Sequence, residues 1–257
     1  MHVSFEEAKR EADSRMKTVA IIQARMGSTR LPGKVLLDLA GETVLQRVVQ
    51  RSRRSKLVHD IIIATTTQVE DDVLENECKR LGVQCFHGSK DDVLDRYYHA
   101  ARSSAADIIV RITADCPFVD PELIDETIAL LRREEADYSA TDVPATIPRG
   151  TDVEAFTFPV LERGWLESSQ PHEREHVTPY FYQHPELFRL ATLKSELDCQ
   201  KYRWTLDTPD DLTLLREIAR EFKGNCTFTW REIVALMKHR PDLMTWNAQV
   251  VQKSVKS

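Results

Sequence analysis

Four short apolar runs, each followed by a stretch with helical spacing, decide most of what this 257-residue chain can fold into. Thr18-Val-Ala-Ile-Ile-Gln23, Asp60-Ile-Ile-Ile-Ala-Thr65, Val83-Gln-Cys-Phe86 and Asp107-Ile-Ile-Val-Arg-Ile112 are short and nearly continuous, as in strands buried on both faces. Between them, Val44, Leu45, Val48, Val49 and Ser52 share one face of an amphipathic segment. Helical spacing returns from Glu70 to Leu81, from Asp91 to Arg102, and from Pro121, a good first helical residue, to about Arg132. Strands of this kind separated by helices predict an α/β fold, a mostly parallel sheet flanked by crossover helices.

The rhythm breaks after about residue 136. Asp142 to Gly150 holds two prolines and a glycine, and Asp152 to Phe158 alternates like an antiparallel or edge strand. Pro171 to Pro185 is punctuated by proline and histidine, and Lys201 to Leu206 reads as a short returning strand. Thr208-Pro209-Asp210-Asp211 opens a helix, and Thr229-x-x-Glu232 is a capping box for another. The expected organisation is a leader at 1–16, frayed or helical, and an α/β core at 17–222. An inserted α+β segment interrupts that core at about 140–195, and a helical extension follows at 223–257.

Composition narrows the function classes. Hydrophobic residues make up 42% and charged residues 30%, a soluble globular balance. No charge-free run exceeds ten residues, so no segment supplies the roughly 20 apolar residues of a membrane helix. The seven charges among the first 16 residues do not fit a secretory signal. A net charge of −6 argues against a global electrostatic hold on nucleic acid. The five cysteines, odd in number and never spaced C-x-x-C, fit reduced thiols and a cytoplasmic protein. Arg47, Arg51, Arg53, Arg54 and Lys56 read as the solvated face of the first helix.

The most informative chemistry lies in Gln23-Ala-Arg-Met-Gly-Ser-Thr-Arg-Leu-Pro-Gly-Lys34, which leaves the C-terminal end of the first strand, where open parallel sheets bind ligands. Arg25, Arg30 and Lys34 supply cations, Ser28 and Thr29 hydroxyls, and Gly27 lets the backbone approach a ligand. A triphosphate suits this density of charge. The loop is not a Walker motif: five residues separate Gly27 from Gly33, and Val35 follows the lysine. Nor is it G-x-G-x-x-G. A basic surface loop without a ligand would leave three cations repelling one another.

The pattern R-x-x-S-x-R-x-P-x-K, carried by Arg25, Ser28, Arg30, Pro32 and Lys34, resembles the signature of the CMP-sugar synthetases. These are the acylneuraminate and 3-deoxy-manno-octulosonate cytidylyltransferases, and the likeness is closer still to relatives typified by the spore-coat polysaccharide biosynthesis protein SpsF. Matching blocks run in order from Lys17 to Phe222: Ile62–Thr65, Gly88–Leu94, Arg111–Pro117, Gly150–Glu154, Arg174–Pro179 and Arg203–Pro209. The resemblance implies a Rossmann-like sheet of the nucleotide-diphospho-sugar transferase type. It also implies a Mg²⁺-dependent transfer of CMP from CTP to a sugar acid or related acceptor, in glycan biosynthesis.

Roles follow from the same likeness. Arg25, Lys34 and Asp115 are the expected catalytic residues, with Asp115 and Asp207 as magnesium ligands. By themselves, an Asp before Cys116-Pro117 also fits a turn, and Asp207-Thr-Pro a helix cap. The nucleotide is assigned to Ala24, Arg25, Gly27, Ser28, Arg30 and Lys34, and its base to Ala64, Thr65, Gly88, Ser89, Arg111 and Thr113 at the ends of the later strands. The acceptor is assigned to Asp152, Glu154, Arg174, Glu175, His176 and Arg203. Asp152 and Glu154 are read as lying on opposite faces, so that one at most reaches it. The resemblance further implies a homodimer joined near 140–195, with no nucleic-acid or membrane partner. Two alternatives stay open: a glycosyltransferase using a nucleotide sugar, and an idle nucleotide-binding protein.

Overall fold

In the computed structural model the described residues are 16–251, apart from 142, 144 and 198. The expected leader, save Met16, and the last residues of the C-terminal stretch lie outside them. The chain enters through β1 (Thr18–Gln23), passes the glycine loop, makes a small hairpin of β2 (Asp38–Leu39) and β3 (Glu42–Thr43), and runs into α1 (Val44–Ser52). Then come β4 (Asp60–Thr66), α2 (Asp72–Leu81), β5 (Gln84–Gly88), α3 (Val93–Ser103), β6 (Ile108–Thr113) and α4 (Pro121–Arg133). The elements expected from spacing therefore form, with ends moved by a residue or two.

Alternate residues of the central strands enter two different cores, which is why these runs lack a polar face. Ala20, Ile22, Ile61, Ile63, Ile108, Val110 and Ile112 pack with apolar residues of α1, α2 and α4 on one side of the sheet. Val19, Ile21, Ile62, Ala64 and Ile109 pack with α3 on the other. Each fully buried Ile or Val contributes about 1.5–3 kcal/mol. Caps set where the helices begin: Thr43, Asp92 and Asp120 accept backbone N–H groups from Gln46, Asp95 and Glu122, each worth about 1 kcal/mol.

The rest of the chain completes a mixed sheet through β7 (Tyr138–Ala140), β8 (Glu154–Thr157) and β9 (Leu190–Thr192), in the order β5-β4-β1-β6-β8-β7-β9. The strands from β5 to β6 in that order are parallel, and β8 is antiparallel to both of its neighbours. The alternating segment is thus antiparallel as expected but internal, because Ile108–Arg111 and Tyr138–Ala140 pair with its two edges. Three helices, α5 (Phe158–Glu167), α6 (Pro171–His176) and α7 (Pro179–Gln183), follow β8; α8 (Pro209–Glu221) and α9 (Trp230–His239) come last, both opened by capping boxes. Among the described residues no helix is long and apolar enough to cross a membrane.

Two expectations change. Lys201–Leu206 is extended but joins no sheet; its partner is a loop, through Trp204 N–H to Arg149 O at 2.7 Å and Arg149 N–H to Tyr202 O at 3.1 Å. Gly150, at φ 97°, allows the approach: a Cβ there would lie 2.4 Å from the Trp204 carbonyl carbon. In the basic run, Arg53, Arg54 and Lys56 are exposed, but Arg47 and Arg51 are fully buried. Arg51 donates to the carbonyls of Val119, Cys226 and Phe228 at 2.6–2.9 Å and lies 3.8 Å from Asp120. Arg47 donates to Leu39, Ala40 and Gly224 carbonyls. Burial lowers the Arg51 pKa to about 10, partly offset by Asp120. Spacing alone reveals no such role, because several of the carbonyls come from residues 175–177 positions away.

Candidate active site

β1 sends the chain to β4 on one side of the sheet, while its other neighbour, β6, arrives later through α3. The connections leaving β1 and β6 therefore part at their C-terminal ends, the place where open sheets hold ligands. A cleft of about 700 Å³ lies there. Ala24 continues the sheet by donating to Ala64 O at 3.1 Å, after which the loop is organised by the backbone of one residue. The Met26 carbonyl accepts from Ser28 N–H at 2.8 Å and Gly33 N–H at 2.9 Å, and the Met26 N–H donates to Asp71 Oδ1 at 2.6 Å. The other oxygen of Asp71, a fully buried acid, accepts from the Thr66 hydroxyl. Gly33, left-handed at φ 68°, then turns the chain into Lys34.

Lys34 joins the acids that the sequence placed far apart. Its Nζ donates to Asp115 Oδ2 at 2.6 Å, to Leu206 O at 2.7 Å and to Asp207 Oδ1 at 3.0 Å. Asp207 also meets Arg30 at 3.0 Å through Oδ1 and Arg203 at 2.6 Å through Oδ2. Leu206 N–H donates to Asp115 O at 2.8 Å and locks the two acid-bearing segments together. Burial opposes charge on Asp207, but Lys34 above all, then Arg203 and Arg30, draw its pKa down to about 2. Burial likewise opposes the Lys34 ammonium, and the two acids overcome it, so its pKa rises. Because one nitrogen reaches both carboxylates, one small ion can too. Two hard oxygen donors suffice for Mg²⁺, which completes its shell from phosphate oxygens and water.

Ala24, Arg25, Ser28, Arg30, Lys34, Ser89, Thr113, Asp115, Arg174, Glu175, His176 and Asp207 line the cleft. Other assigned residues stand behind it. Gly27 lies against Glu70, where a Cβ would come within 3.0 Å of the carboxylate; Gly88 lies against Arg96. Ala64 and Thr65 are fully buried in β4. Arg111 pairs with Glu154, which also accepts from the Tyr138 hydroxyl at 2.5 Å. Burial works against the Arg111 charge, and Glu154 more than restores it. Arg203 is engaged by Asp207 and Asp211.

The acceptor side is rearranged relative to expectation. Residues two apart on an extended chain share a face, so Asp152 and Glu154 do not oppose each other. Burial raises the Asp152 pKa, and the charges of Glu154 and Asp115 push the same way, against Arg149 and a hydrogen bond from Gly150 N–H at 3.0 Å. The Arg174 fork closes on Asp92 at 2.5–3.1 Å and on Trp165 O at 2.6 Å, tying α6 to the start of α3. His176 is half-buried, which lowers its pKa. The Cys116 thiol is pushed well up, by burial first and then by Asp115, which disfavours the thiolate.

Sequence reasoning missed Asp71 and Arg96. Arg96 is 2% exposed at the cleft floor, donates to Ser89 O at 2.8 Å, and has an Nε without a partner. Its one visible signal was a charge among the apolar positions of α3.

A family model described as cytidylyltransferase matches residues 19–240. The uncharacterized protein MJ1063 of Methanocaldococcus jannaschii is 40% identical over 241 residues, 93% of this chain and 98% of that protein. The spore coat polysaccharide biosynthesis protein SpsF of Bacillus subtilis is 34% identical over 232 residues, 88% of this chain and 95% of its own. The solved structure of a cytidylyltransferase from Leptospira borgpetersenii superposes with a TM-score of 0.87 at 34% identity, covering 93% of this chain and 100% of that one. The chain belongs to the cytidylyltransferase family and is a nucleotidyltransferase.

Proposed function

We propose that the cleft binds CTP with Mg²⁺ and transfers CMP to a sugar acid or related acceptor in glycan biosynthesis. The observation that carries this reading is the single ammonium of Lys34 holding Asp115 and Asp207 at the end of a cation-rich loop. An acceptor oxygen attacks the α-phosphorus in line; the new P–O bond forms as the bond to the β-phosphate bridging oxygen breaks, and pyrophosphate leaves. A hydroxyl acceptor loses its proton in the process, and His176, biased toward the neutral form by burial, is suited to take it. Arg25 and Lys34 stabilise charge on the phosphates. Asp115 and Asp207 would hold Mg²⁺, which would supply positive charge to neutralise the triphosphate and the pyrophosphate. Catalysis of this kind is positioning and electrostatics, and it needs no covalent nucleophile.

The acceptor chemistry is supported by the polysaccharide role in the name of the SpsF relative. A homodimer meeting near residues 140–195 is part of the same reading, supported by the exposed Leu187 and Leu190 there. The test is pyrophosphate release with each of the common nucleoside triphosphates against a panel of sugar acids, phosphates and phosphonates. The expected result is release with CTP and a CMP-linked product. Release of a nucleoside diphosphate from a nucleotide sugar would replace this reading with a glycosyltransferase. CTP binding without pyrophosphate from any acceptor would replace it with an idle binding protein.

A further inference from the structure

The family match ends at residue 240, but the chain continues to the far side of the Asp207 cluster. Residues Pro241–Thr245 form a short turn whose Leu243 is fully buried in the core, and the chain then delivers Asn247, 6% exposed. The Asn247 amide donates to Asp211 Oδ1 at 2.8 Å and to the Arg203 carbonyl at 3.1 Å. Both partners hold Asp207. The fully buried Asp211 accepts the backbone N–H groups of Asp207 and Thr208 on Oδ2, each at 2.9 Å, and Arg203 Nε on Oδ1 at 3.2 Å. Arg203 in turn donates to Asp207 Oδ2 at 2.6 Å. One amide thus braces the acid that sets the backbone of Asp207 and the residue whose guanidinium sets its side chain. Gln249, donating to Asp210 Oδ2 at 2.8 Å, lays the same segment along the start of α8.

We infer that Asn247 is a positioning residue for this site, and that residues 241–251 form a strap which fixes Asp207 from beyond α9. The inference rests on the proposed role of Asp207 in nucleotidyl transfer. A misplaced carboxylate costs rate more than ground-state binding, because the transition state carries the extra charge.

Asn247→Leu keeps the size and removes the amide. It should lower kcat for pyrophosphate release about three- to tenfold while the KM for CTP stays within about twofold. In metal-free, nucleotide-free protein, hydrogen exchange at the amides of Asp207 and Thr208 should rise about fivefold, with β1 and β6 unchanged. In an Asp211→Asn background, Asn247→Leu should cost less than it does in the parent, as expected of residues that act partly through a shared contact. Should Asn247→Leu fail to fold, Asn247→Ser is read in the same way. Unchanged kcat with unchanged exchange, exchange raised throughout the molecule, or additive losses would each overturn the strap. A parent enzyme releasing no pyrophosphate from CTP would instead remove the functional reading, and local exchange alone would then decide whether the brace exists.

Discussion

Replacing Lys34 with methionine tests the centre of the site, because it keeps the stem and removes the charge between two acids. The Asp207 side chain is 13% exposed, and folding takes its pKa from an ordinary 3.8 to about 2. That difference converts to about 2.5 kcal/mol. Lys34 is the largest favourable contributor, so its loss leaves burial opposed only by Arg203 and Arg30 and should remove about 2 kcal/mol. For a chain of this size the melting temperature should fall by about 4–8 °C. The sign with pH follows from an acid whose pKa is depressed. Its contribution is full above the unfolded value of 3.8 and disappears as pH falls through about 2. The penalty should therefore be full at about pH 7 and roughly halved at about pH 3. Urea unfolding in EDTA, where no divalent cation replaces the ammonium, measures it. Pyrophosphate release should drop about 100- to 1000-fold. A variant as stable as the parent at neutral pH, or a penalty that does not shrink in acid, would refute the charge-bridge account.

Other outcomes follow from separate parts of the structure. Asp115→Asn should melt within a few degrees of the parent, yet release pyrophosphate about 100- to 1000-fold more slowly; unchanged turnover in a coupled assay would take Asp115 out of the chemistry. Arg51→Met should cost about 3–5 kcal/mol in urea unfolding, since it strands three carbonyls and removes the cation nearest the buried Asp120, while a loss under about 1 kcal/mol would contradict the buried-arginine account. Gly150→Ala should cost about 2–4 kcal/mol, because its Cβ would strike the Trp204 backbone at a left-handed position; wild-type stability by thermal melting would show that the loop yields freely.

Much of the fold was legible because each central strand is apolar on both faces, a pattern that Ile61-Ile-Ile63 shares with few alternatives. Lys34, Asp115 and Asp207 were legible as a set only through motif resemblance, since nothing in the spacing says that residues 81 and 173 positions apart meet at one nitrogen. Local reasoning failed where a side chain's partner is remote backbone. Arg47 and Arg51 have the charge of surface residues and the environment of core residues, and backbone carbonyls, those of residues 224–228 among them, reconcile the two. Asp152 and Glu154 were misread for a simpler reason, a lapse in strand periodicity. Arg174 lines the cleft but has Asp92 as its partner, an acid that from sequence reads only as a helix cap.

The Met26 backbone has a thermodynamic consequence. Its carbonyl and N–H are both satisfied within the protein, the latter by Asp71, an acid that follows β4. The curl that brings Arg25, Arg30 and Lys34 together is therefore established when the chain folds. A nucleotide that enters finds a cradle already shaped, and the entropy of ordering those residues does not count against its affinity.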